Sequence, residues 1–251
     1  TVVPVRGDDL CIDSAAAIAV MERLVTSDKV AAVVGGDCSG VTGAMLQNVA
    51  RPNGIVMISP SATSPALSSA EDDGLFFRTA PSDARQGQVV SDILNSRGFK
   101  SIAITYTNND YGKGLADAIQ ASFEKDGGKV TINAAHEDGK ADYSAEVGAL
   151  ASAGGEVLVV AGYLDQGGKG IIQASVDSGA FSVFELPDGM VGDPLLASLG
   201  NAINGSFGQL PGTDSPGATS FVEMAKVAGF DGTGAFSPES YDAAALIMLA
   251  M

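Results

Sequence analysis

The chain has 251 residues, 45% of them hydrophobic, which is enough apolar material for one or two domains with a sizeable core. It carries 30 Asp and Glu against 14 Lys and Arg, a formal net charge of −16. A surface this acidic repels the phosphates of nucleic acid and of anionic membranes, so neither is an expected partner. No apolar run reaches the length of a bilayer span, and the tail AAALIMLAM is too short to insert. The sequence has no basic-then-apolar leader, so any export signal is expected to have been removed or never present.

The elements alternate along the chain. Asp13 stands where an N-cap belongs, before the helically spaced apolar residues of AAAIAVMERLV. KVAAVVGG, nearly all apolar, reads as a buried parallel strand. A helix over Thr42–Ala50 follows, then the strand GIVMIS and a loop of small hydroxylic residues and prolines from Pro60 to Leu67. DARQGQVVSDIL is a helix, SIAITY a strand, GKGLADAIQASFEKDG a helix and GKVTINAA a strand. DYSAEVGALASA is a helix capped by Asp142, EVLVVAGY a strand, and a helix runs through IIQASVDSG. FSVFELPDG is a strand and turn, NGSFGQL a strand, and FVEMAKVAGF and PESYDAAALIMLAM are the last helices. Strand-helix alternation throughout predicts an α/β fold with parallel sheets.

In such sheets ligands bind beyond the carboxyl ends of the strands. Those ends carry GGDCSG, SPSATSP, TYTNNDYG, AGYLDQGG and LPDGMVGD, loops rich in Ser, Thr, Tyr, Asp and Gly. Long basic side chains are scarce there; Lys113 and Lys169 lie just beyond two of them.

Several chemistries compete for these loops. GGDCSGVTG lacks the lysine of a phosphate-binding loop and the G-x-G-x-x-G of a dinucleotide loop, and Asp37 inside it repels pyrophosphate. Ser39 sits in D-C-S-G-V and not in the G-x-S-x-G of a nucleophile elbow. The single histidine, His136, is expected solvated at a strand end beside an acidic loop, a poor place for a catalytic base. Acid-base chemistry by Asp37, Asp110, Asp165 or Asp188 stays open, although loop aspartates usually cap or turn the chain. A further reading takes the loops as they stand. A helix starting near Gly40 presents unpaired N–H groups and the positive end of its dipole, and Ser39 adds a hydroxyl, which suits a carboxylate as well as a phosphate. Ser61 and Thr63 bring more donors from the next strand end. Each hydroxyl alone is an ordinary cap or turn; the argument lies in their convergence.

Cys11 and Cys38 are the only cysteines, and with one histidine they cannot complete a four-ligand zinc site, so no metal is expected. A disulfide and a pair of buried free thiols both fit the count.

These loops resemble the branched-chain amino-acid-binding proteins of bacterial ABC importers, the Leu/Ile/Val type of periplasmic binding protein. The likeness runs from about Asp8 to Met251. It rests on the ordered set of Cys11 before a helix, KVAAVVGGDCSGVT, GIVMISPSATSPALS, FFRTAPSDARQG, IAITYTNNDYGKGLA, DYSAEVGAL, VLVVAGY and SYDAA.

The resemblance implies two Rossmann-like α/β lobes with parallel sheets joined by hinge strands, the type I periplasmic binding fold, with an amino acid clamped between them. Lobe one would be about 1–81 plus 211–251 and lobe two about 82–210, and the chain reads as truncated at both ends against the family. It implies a Cys11–Cys38 disulfide, export to an oxidising periplasm, a membrane permease of the ABC type as partner, no cofactor and no catalysis. Ser39, with its hydroxyl and N–H, and the Thr63 N–H would hold the ligand's α-carboxylate. The Ser61 carbonyl and the Thr63 hydroxyl would accept from its ammonium. Tyr111 and Tyr163 match tyrosines that close over the ligand. Asp188 falls where the family usually has a glutamate that pairs with the ammonium, and Phe236 where a pocket tyrosine often sits. The expected ligand is an aliphatic or aromatic α-amino acid. The shorter Asp188 keeps a γ-amino acid or small amide in play, and a ligand-sensing module of the amide-sensor or receptor type uses the same fold.

Overall fold

The structure, a computed structural model, describes residues 2–212 and 215–251. The chain forms two compact units, one from Thr1–Ser82 and Pro211–Met251, the other from Asp83–Leu210.

In the first unit helix α1 (Ser14–Thr26) begins where Asp13 accepts the Ala16 N–H at its side chain, and it buries Ala17, Met21 and Leu24, the residues that its three-and-four spacing places on one stripe. Strand β1 (Ala32–Val34) leads to α2 (Ser39–Met45). That helix continues through a wider turn, Leu46–Ala50, into α3 (Arg51–Asn53), and Gly54 ends it in the left-handed region at φ 65°. Strands β2 (Val56–Ser59) and β3 (Phe76–Arg78) complete a parallel sheet of order β1-β2-β3, with Val33 opposite Met57 and Met57 opposite Phe76. Ala17, Met21, Val41, Met45, Leu46, Met57 and Phe76 make one core.

KVAAVVGG departs from its expected burial. Only three of its residues are strand, and Val34 is 43% exposed. Among the described residues only β2 pairs with β1, so an all-apolar strand stands at an edge. β3 is a short strand that periodicity did not reveal, since three residues carry too little of any period.

The second unit runs α4 (Asp83–Ser96), β4 (Ser101–Thr107), α5 (Asp110–Lys125), β5 (Lys129–His136), α6 (Ser144–Ala153) and β6 (Val157–Ala161). A wide turn, Leu164–Gly168, enters α7 (Lys169–Ser178), and β7 (Phe184–Leu186), α8 (Asp193–Leu199) and β8 (Phe207–Gly208) follow. Helix α8 has no counterpart in the sequence reading. The sheet order is β5-β4-β6-β7-β8 and every pairing is parallel. Side-chain alternation splits the core in two. Ile102, Ile104, Val157 and Val159 pack with Val90, Leu94, Leu115, Ile119 and Phe123 of α4 and α5. Ala103, Leu158 and Val160 pack with Val147, Leu150, Ile171 and Ile172 of α6 and α7. Helices thus cover both faces, which is why these strands read as unbroken apolar runs.

Asp142 lies one residue before the cap position of α6, which falls on Tyr143, but its carboxylate still takes the Ser144 N–H at 2.9 Å. The chain returns to the first unit as α9 (Pro216–Ala228) and α10 (Ser237–Ala250), and α10 packs on β1 and β2. Among the described residues no helix is long and apolar enough to cross a membrane.

Candidate functional site

In the first unit the turn after β1 is held from three directions. Cys11 and Cys38 form a disulfide with their Cα atoms 5.1 Å apart. Asp9 spans the same two segments: Oδ1 accepts the Cys11 N–H at 3.3 Å and Oδ2 the Asp37 N–H at 2.7 Å. Ser59 at the end of β2 donates to the Gly36 carbonyl at 2.6 Å and accepts the Ala62 N–H at 3.0 Å. A Cβ at Gly36 would fall 2.5 Å from Met45 Cε and 3.0 Å from Asp9 Oδ2, so those side-chain ends would have to shift.

On this frame α2 begins at Ser39, and its N-cap, Cys38, makes no side-chain capping bond because its sulfur is in the disulfide. Ser39 is buried, and its hydroxyl oxygen accepts the Ser64 N–H at 3.1 Å. The Ser61 hydroxyl donates to Asp37, lying 2.7 Å from Oδ1 and 2.9 Å from the carbonyl. Thr63 is 1% exposed and its hydroxyl has no hydrogen-bond partner among the described residues. Buried hydroxyls are rarely left so, and a ligand is one physical reason for it. Phe236 stands at the entry of α10 with φ 59°, and among the described residues no recorded contact joins it to Ser39, Ser61 or Thr63.

In the second unit Asp188 opens a short helical turn, Asp188–Met190, directly after β7, and is buried. Its Oδ1 accepts from Gln86 Nε2 at 2.8 Å and from the Tyr111 hydroxyl at 2.9 Å. The same hydroxyl accepts the Gly189 N–H at 3.2 Å. The Tyr163 ring stacks on Tyr111 with centroids 4.8 Å apart and planes 18° from parallel. Tyr111, Tyr163 and Asp188 therefore form one cluster. Burial pushes the Asp188 carboxyl above its ordinary range, while the Gln86 and Tyr111 donors pull it back. Burial first, then the neighbouring Asp188 and Asp83 carboxylates, drive the Tyr111 phenol well upward, so it stays a donor. Among the described residues no lysine or arginine forms an ion pair with Asp188.

Glu185 lies three residues earlier on β7, wholly buried, and among the described residues neither carboxyl oxygen has a hydrogen-bond partner. Burial raises its pKa to about 8; the nearby Gln209 amide opposes the rise without closing a hydrogen bond of normal geometry, and Asp188 adds to it.

His136 overturns the expectation of a solvated ring. It ends β5, is 1% exposed, and its Nδ1 lies 2.8 Å from the Thr105 hydroxyl. Its ring packs against Gly162 and Gly167, while Nε2 has no hydrogen-bond partner among the described residues. The last residue of a strand in a covered sheet is buried when the adjoining turn, here Leu164–Gly168, folds over it. Asp110 is the first residue of α5, whose N-cap is Asn109, and Asp165 lies within the turn Leu164–Gly168, which follows Tyr163. Among the described residues no group of three His, Cys, Asp or Glu side chains is placed to hold a metal ion.

Gln86, Gly189 and Asp9 were missed from the sequence. Gln86 had a signal: it stands three residues after Asp83 on the first turn of α4, within the FFRTAPSDARQG landmark. Gly189 adjoins Asp188 and Asp9 lies two residues before Cys11, but nothing local marks their roles.

Residues 3–251 match the family described as "Receptor family ligand binding region". An "amino acid binding protein" of Pseudomonas aeruginosa is 32% identical over 243 residues, covering 94% of this chain and 62% of that protein. The chain thus spans less than two thirds of the length of the curated relatives it matches first. Among solved structures, the branched-chain amino acid transporter substrate binding protein LivJ from Streptococcus pneumoniae, in complex with isoleucine, superposes with TM-score 0.80 at 24% identity, covering 98% of this chain and 70% of that one. A solute binding protein of an ABC transporter from R. palustris, in complex with 4-hydroxybenzoate, also gives TM-score 0.80, at 19% identity over 97% of this chain and 67% of that one. At these identities the two structures establish the fold.

Proposed function

The chain belongs to the receptor-type ligand-binding region family, in its branch of branched-chain amino-acid-binding proteins with the type I periplasmic fold, and from that premise we propose that it is the solute-binding component of an ABC importer. Its place is the periplasm, its ligand an aliphatic or aromatic α-amino acid, and its partner the membrane permease that receives the loaded protein. It binds without turnover.

One observation carries this reading: a buried carboxylate, Asp188, braced by two donors and paired with no cation of the described chain. Such a charge is costly to bury until a cation arrives. An α-ammonium supplies it, and the ligand's own carboxylate finds complementary groups at the start of α2, where Ser39 and the loop to Thr63 offer hydroxyls and N–H groups. The unpartnered Thr63 hydroxyl supports the same assignment. Tyr111 and Tyr163 offer stacked ring faces for the ligand's apolar part.

A second reading, a γ-amino acid or small amide, draws support from Asp188 standing where the family usually has the longer glutamate. A thermal-shift screen decides between them, using the α-amino acids, γ-aminobutyrate, short amides and 4-hydroxybenzoate. The first reading expects the melting temperature to rise with one or a few α-amino acids. A rise with benzoates or amides alone would overturn it.

A further inference from the structure

His136 is a buried titratable group with no part in the proposed site, yet it lies directly behind one side of it. Its Nδ1 is 2.8 Å from the Thr105 hydroxyl, and Nε2 has no hydrogen-bond partner among the described residues. Nε2 faces backbone. A Cβ built on Gly162 would stand 3.3 Å from it, and one on Gly167 would stand 2.9 Å from Cδ2 of the same ring. These two glycines flank Tyr163 and most of the turn Leu164–Gly168, so the turn rests on the ring. The Gly167 N–H pins it there by donating to Asp138 Oδ1 at 3.0 Å, and the Gly168 N–H donates to the Tyr163 carbonyl at 3.1 Å. Tyr163, next to Gly162, stacks on Tyr111, which in turn donates to Asp188.

A neutral imidazole suits this place, because one nitrogen meets Thr105 and the other can lie bare against a glycine. An imidazolium carries an N–H on both nitrogens, and the second would point at the Gly162 backbone, buried and without an acceptor. The acidic groups acting on the ring are Asp138 and Glu137, which follow it in the chain, and Glu146 of α6; Asp165, on the turn, is not among them. Most of their oxygens are engaged. Asp138 accepts from Gly167 and Thr107, Glu137 Oε1 accepts from Asn108 at 2.7 Å, and Glu146 Oε1 pairs with Lys140. Tyr143, edge-on to the ring with centroids 6.2 Å apart, donates to the Glu137 carbonyl at 3.0 Å. Glu146 Oε2 is buried with no partner among the described residues. A protonated ring gains an acceptor only by leaving its seat against Gly162, and the turn then loses its support.

We propose that His136 is a positioning residue for ligand binding: its neutral ring holds the turn Leu164–Gly168, and with it Tyr163, against Tyr111, and its protonation lets that stack come apart. For the ligand the inference rests on the amino-acid reading above and adds acid-driven release to it. The ligand-binding arrangement excludes the proton, so affinity is full above the titration of His136 and is lost as pH falls through it. Burial places that titration below the usual histidine value of about 6.5.

The protein has one histidine, so its ring signals in an NMR spectrum are unambiguous. In unliganded protein with labelled tyrosine rings, the Tyr163 signals are identified by their loss in Tyr163→Phe. They should shift with the same midpoint as His136 on titration from pH 7.5 to 4.5. They should stay in place in His136→Gln, whose amide can still meet Thr105 but does not titrate. Calorimetric titration with leucine, isoleucine, valine, phenylalanine and tyrosine reads the consequence. Affinity for those that bind should fall about fivefold or more from pH 7 to pH 5 beyond any fall in His136→Gln. The comparison removes the share due to Asp188, which both proteins keep. Tyr163 signals that ignore the titration of His136, or that move alike in His136→Gln, overturn the positioning role, as does a ring that titrates only when the whole fold collapses. Equal acid sensitivity of affinity in the two proteins removes His136 from binding. Binding by none of the five amino acids, with the His136 and Tyr163 titrations coincident, overturns the aliphatic or aromatic reading and leaves the hold of His136 on Tyr163 standing.

Discussion

The Tyr111 hydroxyl donates to Asp188 Oδ1 at 2.9 Å and accepts the Gly189 N–H at 3.2 Å, so both directions of one phenol O–H are spent on a single turn. The turn and the first residues of α5 become one rigid piece, and the stacked Tyr163 extends it. Gln86 donates to the same Oδ1, and among the described residues no side-chain hydrogen bond reaches the other oxygen, Oδ2. Two donors on one oxygen fix the orientation of the carboxylate.

Asp188→Asn keeps the shape and removes the charge. A buried ammonium then loses its partner, and the Asn amide can turn donors toward the Gln86 amide. Ligand affinity should fall by about 2–4 kcal/mol, measured by calorimetric titration with the amino acid found in the screen. Affinity equal to wild type would remove the ammonium from this position.

Gly189→Ala tests the bracing instead of the charge. The new Cβ would lie 2.4 Å from the Gly162 carbonyl oxygen and 2.9 Å from the Tyr111 hydroxyl, and a backbone carbonyl cannot swing aside as a side chain can. Tyr111 must move off Asp188. We expect at least a tenfold loss of affinity, about 1.4 kcal/mol, with Tyr111→Phe losing a comparable amount through the same bond. A tight-binding Gly189→Ala protein would show that the network is dispensable.

Stability should depend on pH from both sides. Glu185 holds its proton in the folded state up to a pKa of about 8, whereas the unfolded chain releases it near the usual Glu value of about 4.3. Between those values the folded state binds more protons than the unfolded, so the stabilisation is complete at acid pH and is lost as pH rises through about 8. At about 1.4 kcal/mol per pKa unit, the loss is on the order of a few kcal/mol. The groups acting on Glu185 are Gln209 and Asp188. Urea melts from pH 5 to 9 should show wild type weakening relative to Glu185→Gln, and parallel curves would contradict the assignment.

His136 works at the other end. Burial lowers its pKa, and Asp138, Glu146 and Glu137 only partly oppose the shift. The unfolded chain therefore takes the proton first, and stability is lost as pH falls below about 6.5. His136→Gln should flatten that acid limb relative to wild type in the same melts.

Reduction should loosen the Ser39 turn. Closing the segment from Cys11 to Cys38 is worth about 3 kcal/mol in the chain-entropy model. Reductant, or a Cys11→Ser, Cys38→Ser double variant, should lower the melting temperature and weaken ligand binding together. Lowered stability with intact binding would show that Asp9 and Ser59 hold the turn without the disulfide.

Local pattern alone determined the larger elements. The apolar spacing of α1 behind Asp13, and the solid runs of β4 and β6, follow from the period of a helix stripe and from a sheet covered on both faces. Strand-end loops full of Ser, Tyr and Asp located the groups of the candidate site, and the likeness of those loops to one family suggested their roles. Tertiary structure decided everything that depends on distant partners. Gln86 and Tyr111 reach Asp188 across 102 and 77 positions, and Asp37 is held by Asp9 across 28. The burial of His136 and, among the described residues, the unbonded carboxyl of Glu185 belong to the same class. Periodicity reports which way a side chain points relative to its neighbours, whereas burial and pairing depend on which element packs opposite, and that is settled only when the whole sheet and its helices come together.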